Sequence, residues 1–198
     1  MALVYSLGHR RGFMDPHSLL LSGVMVGAFF NAFVLLVIAI FNQELRTAYL
    51  WLLGNLGNAD MRSLAVVAPP IVLAAGILTL QGRTFNLIAT GDETAMHLGV
   101  DVQSVRRWSY VLASLLTGLA VSVSGVIGFV GLLIPHACRL MFGPDNRLLL
   151  PASFLVGGTF LVVCDLLART LLSPSEIPVG AITAAVGAPL FVYLLKRG

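Results

Sequence analysis

Long stretches without Asp, Glu, Lys or Arg constrain the fold of this chain more than any other feature. They cover residues 18–43, 63–82, 108–138, 148–164 and 177–195. The hydrocarbon core of a bilayer is about 30 Å thick and needs about 20 helical residues, and each stretch is near that length or longer. Strands in a soluble core are much shorter, and surface helices carry a polar face. We therefore predict helices that cross a membrane.

The composition argues against a soluble domain, a disulfide-linked protein and a nucleic-acid-binding protein. Hydrophobic residues make up 58% and charged residues 11% of the chain, against about 45–50% and about 25% in soluble domains. Cys138 and Cys164 lie in apolar runs without metal-ligand or redox spacing, so we interpret them as buried thiols rather than disulfide partners. The net charge of +3 comes without a basic cluster, so no nucleic acid is expected as a partner.

The stretch 108–138 is too long for one span and too short for two. Its glycines and its proline weaken a helix, so we predict a full span at about 108–127, a reversal near 128–131 and a short helix through Leu140. One long tilted helix is the alternative. With the reversal, the predicted fold class is all-α: a polytopic membrane protein of about six transmembrane helices, forming one transmembrane domain over residues 1–198.

The distribution of basic residues predicts how the spans are oriented, because cytoplasmic loops are enriched in Lys and Arg. With both termini in the cytoplasm, most basic residues fall on that side. Residues 47–59 then lie outside as a short interfacial or re-entrant helix. The cytoplasmic group is Arg10, Arg11, Arg83, Arg106, Arg107, Arg139, Arg147, Lys196 and Arg197, and the outer group is Arg46, Arg62 and Arg169.

The cytoplasmic stretch 83–107 carries signals for two short helices. Thr90 and Glu93 have the spacing of a capping box, with Thr90 as the N-cap. Gly99 is placed to end that helix, and Asp101 to cap the next. The stretch is either a rigid unit that transmits force or an ordinary capped linker.

Few polar residues lie within the predicted spans. Asn31 is expected to face another helix or a polar path. His136 is interpreted as a hydrogen-bonded structural group rather than a ligand. Asp165 and Arg169 lie four residues apart on one helical face, so either they neutralise each other or Arg169 points outward as a docking charge. No catalytic motif is present, so we expect no enzyme activity, no metal site and no cofactor.

The order and spacing of several sequence blocks resemble the FecCD-type permease family, the membrane subunits of ABC importers for iron–siderophore complexes, haem and vitamin B12. The blocks are GDETA at 91–95 with LG at 98–99, SGVIGFVGLLIPH at 124–136, GPDNRLLLP at 143–151, DLLAR at 165–169, EIPVGAIT at 176–183 and GAP at 187–189.

The resemblance implies an assembly in the bacterial inner membrane. Its partners would be a second permease copy in a homodimer or pseudo-dimer, two cytoplasmic ATP-binding subunits and an external substrate-binding protein. ATP hydrolysis would then take place on the separate subunits. The chelate would pass between the two permease copies, and the sequence does not identify it. The runner-up functions are an ion-coupled secondary transporter and a non-transporting scaffold or inactive fragment.

The resemblance also assigns candidate site residues. Arg169 matches the arginine that docks an acidic side chain of the binding protein. The gate and pathway residues would be Asp15, Pro16, His17 and Asn31. The ATPase-coupling residues would be Asp92, Glu93, Thr94, Ala95, Leu98 and Gly99.

Length is the main departure from the family, whose members have ten spans. The apolar residues 2–7 look like the end of a span whose beginning is absent. We therefore expect the chain to match the C-terminal 60% or so of a family member, as a fragment, a chain with a misassigned start or the product of a degenerate gene.

Overall fold

A computed structural model describes residues 9–10, 13–14, 16–41, 51–57, 59–171 and 177–195. The chain divides into two compact units, residues 1–49 and residues 50–198, and each is described by itself.

The first unit contains a short hairpin and one long helix. Strands β1 (His9–Arg10) and β2 (Phe13–Met14) pair antiparallel, with His9 opposite Met14. Helix α1 spans Pro16–Phe41. Proline suits the first turn of a helix, where its missing N–H would have no partner. The apolar part of α1, Leu21–Ile40, is long enough to cross a membrane.

The second unit is built from seven helices in its described part. They are α2 (Met61–Leu80), α3 (Gly82–Ala89), α4 (Asp92–His97), α5 (Val102–Ser124), α6 (Val130–Phe142), α7 (Asn146–Thr170) and α8 (Val179–Leu195).

Helices occupy all the positions predicted for spans, which confirms the all-α fold class. Within the described residues, α1, α2 and α7 are long and apolar enough to cross a membrane, and α6 and α8 are shorter apolar helices. Helix α5 covers the remaining predicted span and has 23 residues. Residues 83–107 hold most of α3, all of α4 and the start of α5. The two helices predicted in this stretch are α4 and the start of α5, and α3 is an additional helix.

The long uncharged stretch 108–138 forms two helices and not one. Helix α5 ends at Ser124 and α6 begins at Val130. Gly125 takes a φ of +69° and Phe129 a φ of +67°, backbone conformations that do not continue a right-handed helix. The single tilted helix is therefore excluded. The break begins at Gly125, a few residues before the predicted position, because Gly125 is the residue that leaves the helical conformation.

Helix α7 is the centre of the core. Its Leu149 packs with Ile134 and Cys138 of α6, and nearer its end Cys164 and Ala168 pack with Val179 of α8. Phe160 contacts both clusters. Both cysteines are free and buried, as predicted. Helix α7 is thus packed against its neighbours along most of its length.

Three glycines allow three separate segments to approach backbone to backbone. We call Gly54, Gly125 and Gly180 the glycine junction. A Cβ atom on Gly180 would collide with the carbonyl oxygen of Leu53, and one on Gly125 with that of Trp51. At this junction the loop before α2, the break between α5 and α6 and the start of α8 therefore meet.

Backbone hydrogen bonds hold the glycine junction together. The Asn55 N–H donates to the Ser124 carbonyl over 2.9 Å, and the Gly180 N–H donates to the Gly54 carbonyl over 3.4 Å. Residues 51 and 52 are helical and the chain then turns at Gly54, so this part of the predicted re-entrant stretch is folded against the protein. Residues 47–50 lie outside the described residues.

Candidate functional site

The predicted capping box at the start of α4 is wrong. Thr90 ends α3 instead, where its Oγ1 donates to the Leu87 carbonyl over 2.8 Å. The N-cap of α4 is Gly91, which has a φ of +118° and provides no side-chain cap. The chain turns sharply at this glycine because a positive φ costs glycine nothing, and this turn moves the start of the helix one residue along.

The end of α4 is as predicted. Gly99 has a φ of +84°. Its N–H donates to the Met96 carbonyl, and the Val100 N–H donates to the Ala95 carbonyl, both over 3.0 Å. This pair of bonds is a Schellman motif, in which glycine is favoured at the left-handed position. The Asp101 side chain then accepts a hydrogen bond from the Ser104 N–H over 3.0 Å, which confirms the predicted cap of α5.

An ion pair attaches α4 to α5. Both terminal nitrogens of Arg106 donate to the carboxylate oxygens of Asp92, each over 2.7 Å. The two side chains remain 37% and 46% exposed, so water screens the attraction and the pair mainly fixes an orientation. Sequence reasoning placed both residues on one loop and missed their contact.

Helix α3 is attached to α7 by a cluster of hydrogen bonds around Asn86. We call Asn86, Asp145 and Asn146 the Asn86 cluster. The Asn86 Nδ2 donates to Asp145 Oδ1 over 2.6 Å. In return, Asn86 Oδ1 accepts from the Asn146 backbone N–H over 2.8 Å and from Asn146 Nδ2 over 2.9 Å. One amide side chain therefore joins two elements that are distant in sequence.

A glycine beside the Asn86 cluster lets the two elements touch. Gly82, at the start of α3, is buried. A Cβ atom there would lie 2.9 Å from the Arg147 Cα and 3.1 Å from the Asn146 carbonyl oxygen. Real Cβ atoms do not approach backbone so closely, so any larger residue at this position would push α3 away from α7.

Asp145 is an anion within this cluster. Its side chain caps α7 by accepting from the Arg147 N–H over 2.9 Å. The hydrogen bond from Asn86, followed by that from the Arg147 backbone, holds the pKa of the Asp145 carboxyl below its ordinary value. Both bonds favour the charged form because they are donated to it.

The outward surface of α4 is mixed in character. Ala95 is fully buried, whereas Met96 and Leu98 are more than half exposed. Glu93, Thr94 and Gly99 are exposed too. Exposed apolar side chains occur throughout the described part of this chain, so Met96 and Leu98 alone do not identify a contact site.

At the other end of α7, Arg169 is paired with Asp165. The Arg169 Nε donates to Asp165 Oδ2 over 2.8 Å. The Arg169 side chain is nevertheless 49% exposed. The two possibilities left open by the sequence are therefore compatible, since the pair forms and the guanidinium remains accessible.

Comparison with known proteins identifies the family. Residues 1–197 match the model of the FecCD transport family. The chain belongs to the FecCD transport family. The family relationship, predicted from sequence blocks, is thereby confirmed.

Relatives in the FecCD family are transport permeases. The chain is 42% identical to the cobalamin import system permease protein BtuC of Halobacterium salinarum, over 98% of this chain and 52% of the relative. It is 44% identical to the hemin transport system permease protein HmuU of Yersinia pestis, over 98% of this chain and 58% of the relative. The chain thus spans about half the length of the curated relatives it matches.

A solved structure has the same fold. It is described as an inward-facing conformation of an ABC transporter assigned to the metal-chelate type. The TM-score is 0.89 at 33% sequence identity, covering 100% of this chain and 63% of the other. The matches place this chain in a family of membrane transport permeases rather than enzymes.

The predicted gate residues of this FecCD chain lie in the first unit. Asp15 is outside the described residues. Pro16 and His17 are the first residues of α1, and their side chains are not described. Asn31 lies in the middle of α1 and is exposed. Their assignment to a gate remains a prediction.

His136 differs from its predicted hydrogen-bonded state. Its Nε2 atom is buried and has no hydrogen-bond partner in the part of the chain that the structure describes. The ring lies edge-on to Phe191 of α8, with centroids 6.1 Å apart. In the same described part, no cluster of His, Cys, Asp and Glu could hold a metal ion.

Proposed function

We propose that this chain is the membrane-spanning part of a permease subunit in an ATP-driven importer of iron–siderophore, haem or cobalamin-type chelates. The relatives support this class of substrate, because they include permeases named for cobalamin, hemin and Fe(3+) dicitrate. The observation that carries the proposal is the short exposed helix α4, which is held in place between apolar helices by an ion pair and by α3.

The motor of the importer is a separate subunit. Two cytoplasmic ATP-binding subunits hydrolyse ATP, and this chain supplies no catalytic residue and binds no cofactor. A second permease copy completes the translocation path, and an external binding protein delivers the chelate. Both termini lie in the cytoplasm of a bacterial cell, on the side of the basic loops.

Helix α4 is the contact with the ATP-binding subunit. Glu93, Thr94, Leu98 and Gly99 form the contact surface, since all are exposed. Ala95 is buried against the permease and anchors the helix. Asp92 acts through Arg106 and orients α4 rather than touching the partner.

The opposite side of the membrane receives the binding protein. Arg169 docks an acidic side chain of that protein, since its guanidinium is half exposed. Asp165 holds the guanidinium in one direction by accepting a hydrogen bond from Nε. Asp15, Pro16, His17 and Asn31 line the gate and the pathway.

Association with an ATP-binding subunit is the test. The permease is expressed with its ATP-binding subunit, purified through a tag on the permease, and assayed for the subunit and for chelate uptake into proteoliposomes. Glu93→Lys is expected to weaken the association about tenfold, which corresponds to about 1.4 kcal/mol. Gly99→Pro is expected to uncouple hydrolysis from uptake, because proline cannot adopt a positive φ.

Arg139→Glu is the matched control. It also reverses an exposed charge on the predicted cytoplasmic side, but it lies at the end of α6 and outside residues 83–107. It should leave association and uptake unchanged. If no ATP-binding subunit copurifies with the wild-type permease, the proposal is wrong and the secondary transporter or scaffold takes its place.

A further inference from the structure

Helix α7 begins beside α3, which precedes the proposed ATPase-contacting helix α4, and it ends near the proposed docking residue Arg169. Asn146 begins the helix beside the Asn86 cluster, and Arg169 lies in its last turn. The helix has 25 residues and is therefore about 37 Å long at 1.5 Å per residue. It is long enough to connect the two sides of a membrane directly.

The start of α7 is tied to α3 by contacts that resist sliding. The Asn86 side chain makes hydrogen bonds in both directions, as a donor to Asp145 and as an acceptor from Asn146. All of these bonds are partly buried, so water competes with them less than with the exposed Asp92–Arg106 pair. Gly82 adds direct backbone contact with Arg147. Helix α3 and the start of α7 should therefore move together.

The rest of α7 is supported by packing. Leu149 and Phe160 contact the cluster shared with α6, and Phe160, Cys164 and Ala168 contact the cluster shared with α8. Pro151 removes one backbone hydrogen bond from the second turn, but Leu149 and Ala152 pack against α6 on either side of it. A displacement at one end of the helix is thus passed to the other end.

We propose that α7 transmits docking of the external binding protein at Arg169 to the ATPase-contacting helix α4, and that Asn86 is the positioning residue that connects α7 to the α3–α4 segment. This inference rests on the proposed function. It adds a structural connection between the docking residue Arg169 and the ATPase-contacting helix α4. The connection consists of helix α7 and the side chain of Asn86.

The experiment measures how strongly the binding protein stimulates ATP hydrolysis. The assembled transporter is reconstituted in nanodiscs, and hydrolysis is measured without and with its binding protein. Asn86→Asp keeps the shape of the side chain but replaces the donor to Asp145 with a second carboxylate, so the two repel. We expect stimulation to be lost. Thermal stability of the purified complex is measured on the same samples.

An exchange of the two side chains provides the rescue. In the double variant Asn86→Asp/Asp145→Asn, the amide donates from the α7 side to a carboxylate on α3, and that carboxylate still accepts from Asn146. Stimulation is expected to return. Thr90→Ala is the matched control, because it removes an exposed hydrogen bond within the same segment that does not reach α7. It should leave stimulation intact.

Several outcomes would overturn the inference. They are wild-type stimulation in Asn86→Asp, an equal loss in Thr90→Ala, or no recovery in the exchanged double variant. A loss of thermal stability that follows the loss of stimulation across all the variants would also overturn it, because it indicates a structural role alone. If the wild-type permease binds no ATP-binding subunit, the proposed function itself fails. If it binds one and is stimulated, only the role of α7 is in question.

Discussion

Arg106 donates hydrogen bonds from both terminal nitrogens to the two carboxylate oxygens of Asp92, each over 2.7 Å. The pair closes a loop of the chain that contains α4 and its Schellman turn. Because the fork of the guanidinium matches the carboxylate in plane and in spacing, the contact sets the direction of α4 as well as its distance from α5.

Removing one side of this pair should loosen α4 without unfolding the protein. For Asp92→Asn, we expect a stability loss below about 1 kcal/mol, since exposed ion pairs contribute little. Amide hydrogen exchange in α4 should nevertheless become faster. Glu93→Gln is the control, because it removes the same negative charge one residue away. If both variants exchange alike, the pair does not hold α4.

The pKa of Asp145 should report on the Asn86 cluster. Hydrogen bonds hold the pKa of the Asp145 carboxyl below its ordinary value of 3.8. The carboxylate therefore stabilises the fold at pH values above 3.8, and this contribution is lost as the pH falls through the lowered pKa. In Asn86→Ala the largest cause of the shift is removed, and the pKa should rise towards 3.8. Carbon-detected NMR of labelled aspartate measures both values. An unchanged pKa would contradict the hydrogen bond.

The glycine junction should tolerate no added methyl group. Gly180→Ala places a Cβ against the Leu53 carbonyl, and overpacking of this kind costs about 1–3 kcal/mol. Gly125→Ala adds the cost of a positive φ, about 1–2 kcal/mol. The thermal midpoint in detergent should fall for both.

Gly118→Ala provides the comparison for the junction. Gly118 lies within α5 and has no neighbour within 4 Å of an added Cβ, so the substitution should raise helix stability by about 0.5–1 kcal/mol. Equal changes in the thermal midpoint for Gly118→Ala and Gly180→Ala would show that Gly180 and Leu53 do not approach closely.

Docking at Arg169 should depend on charge and on salt. Arg169→Glu is expected to reduce the affinity for the binding protein about tenfold at low ionic strength, or about 1.4 kcal/mol. The loss should be smaller at high salt, because salt screens both the attraction in the wild type and the repulsion in the variant. Surface plasmon resonance against nanodisc-embedded permease measures both conditions. Arg62→Glu reverses another arginine predicted on the same side and should have little effect. If Arg62→Glu and Arg169→Glu weaken binding equally, the effect is one of general charge.

Local signals in the sequence predicted local structure well. The cap at Asp101 and the helix end at Gly99 each depend on residues a few positions away, and the structure confirms both predictions. The cap at Thr90 was wrong because Gly91 offers a positive φ that competes with it. From the sequence alone, Gly91 can adopt a positive φ, but the sequence does not show that it does so in the fold.

Contacts between distant residues could not be predicted. Asn86 and Asp145 are 59 positions apart, and each taken alone is an ordinary polar residue near a helix end. Their pairing follows from how α3 packs on α7, which depends on Gly82 and on the whole apolar core. The charge-based orientation of the spans, by contrast, depends on a membrane and stays a prediction.

The glycine junction limits where this protein can bend. Packed side chains can absorb a small shift by changing rotamer, whereas main chain lying directly on main chain has nothing compressible between the two surfaces. We therefore expect the loop before α2, the gap between α5 and α6 and the first turn of α8 to move together. Under the proposed function, the hinge for any change of access then lies outside the glycine junction.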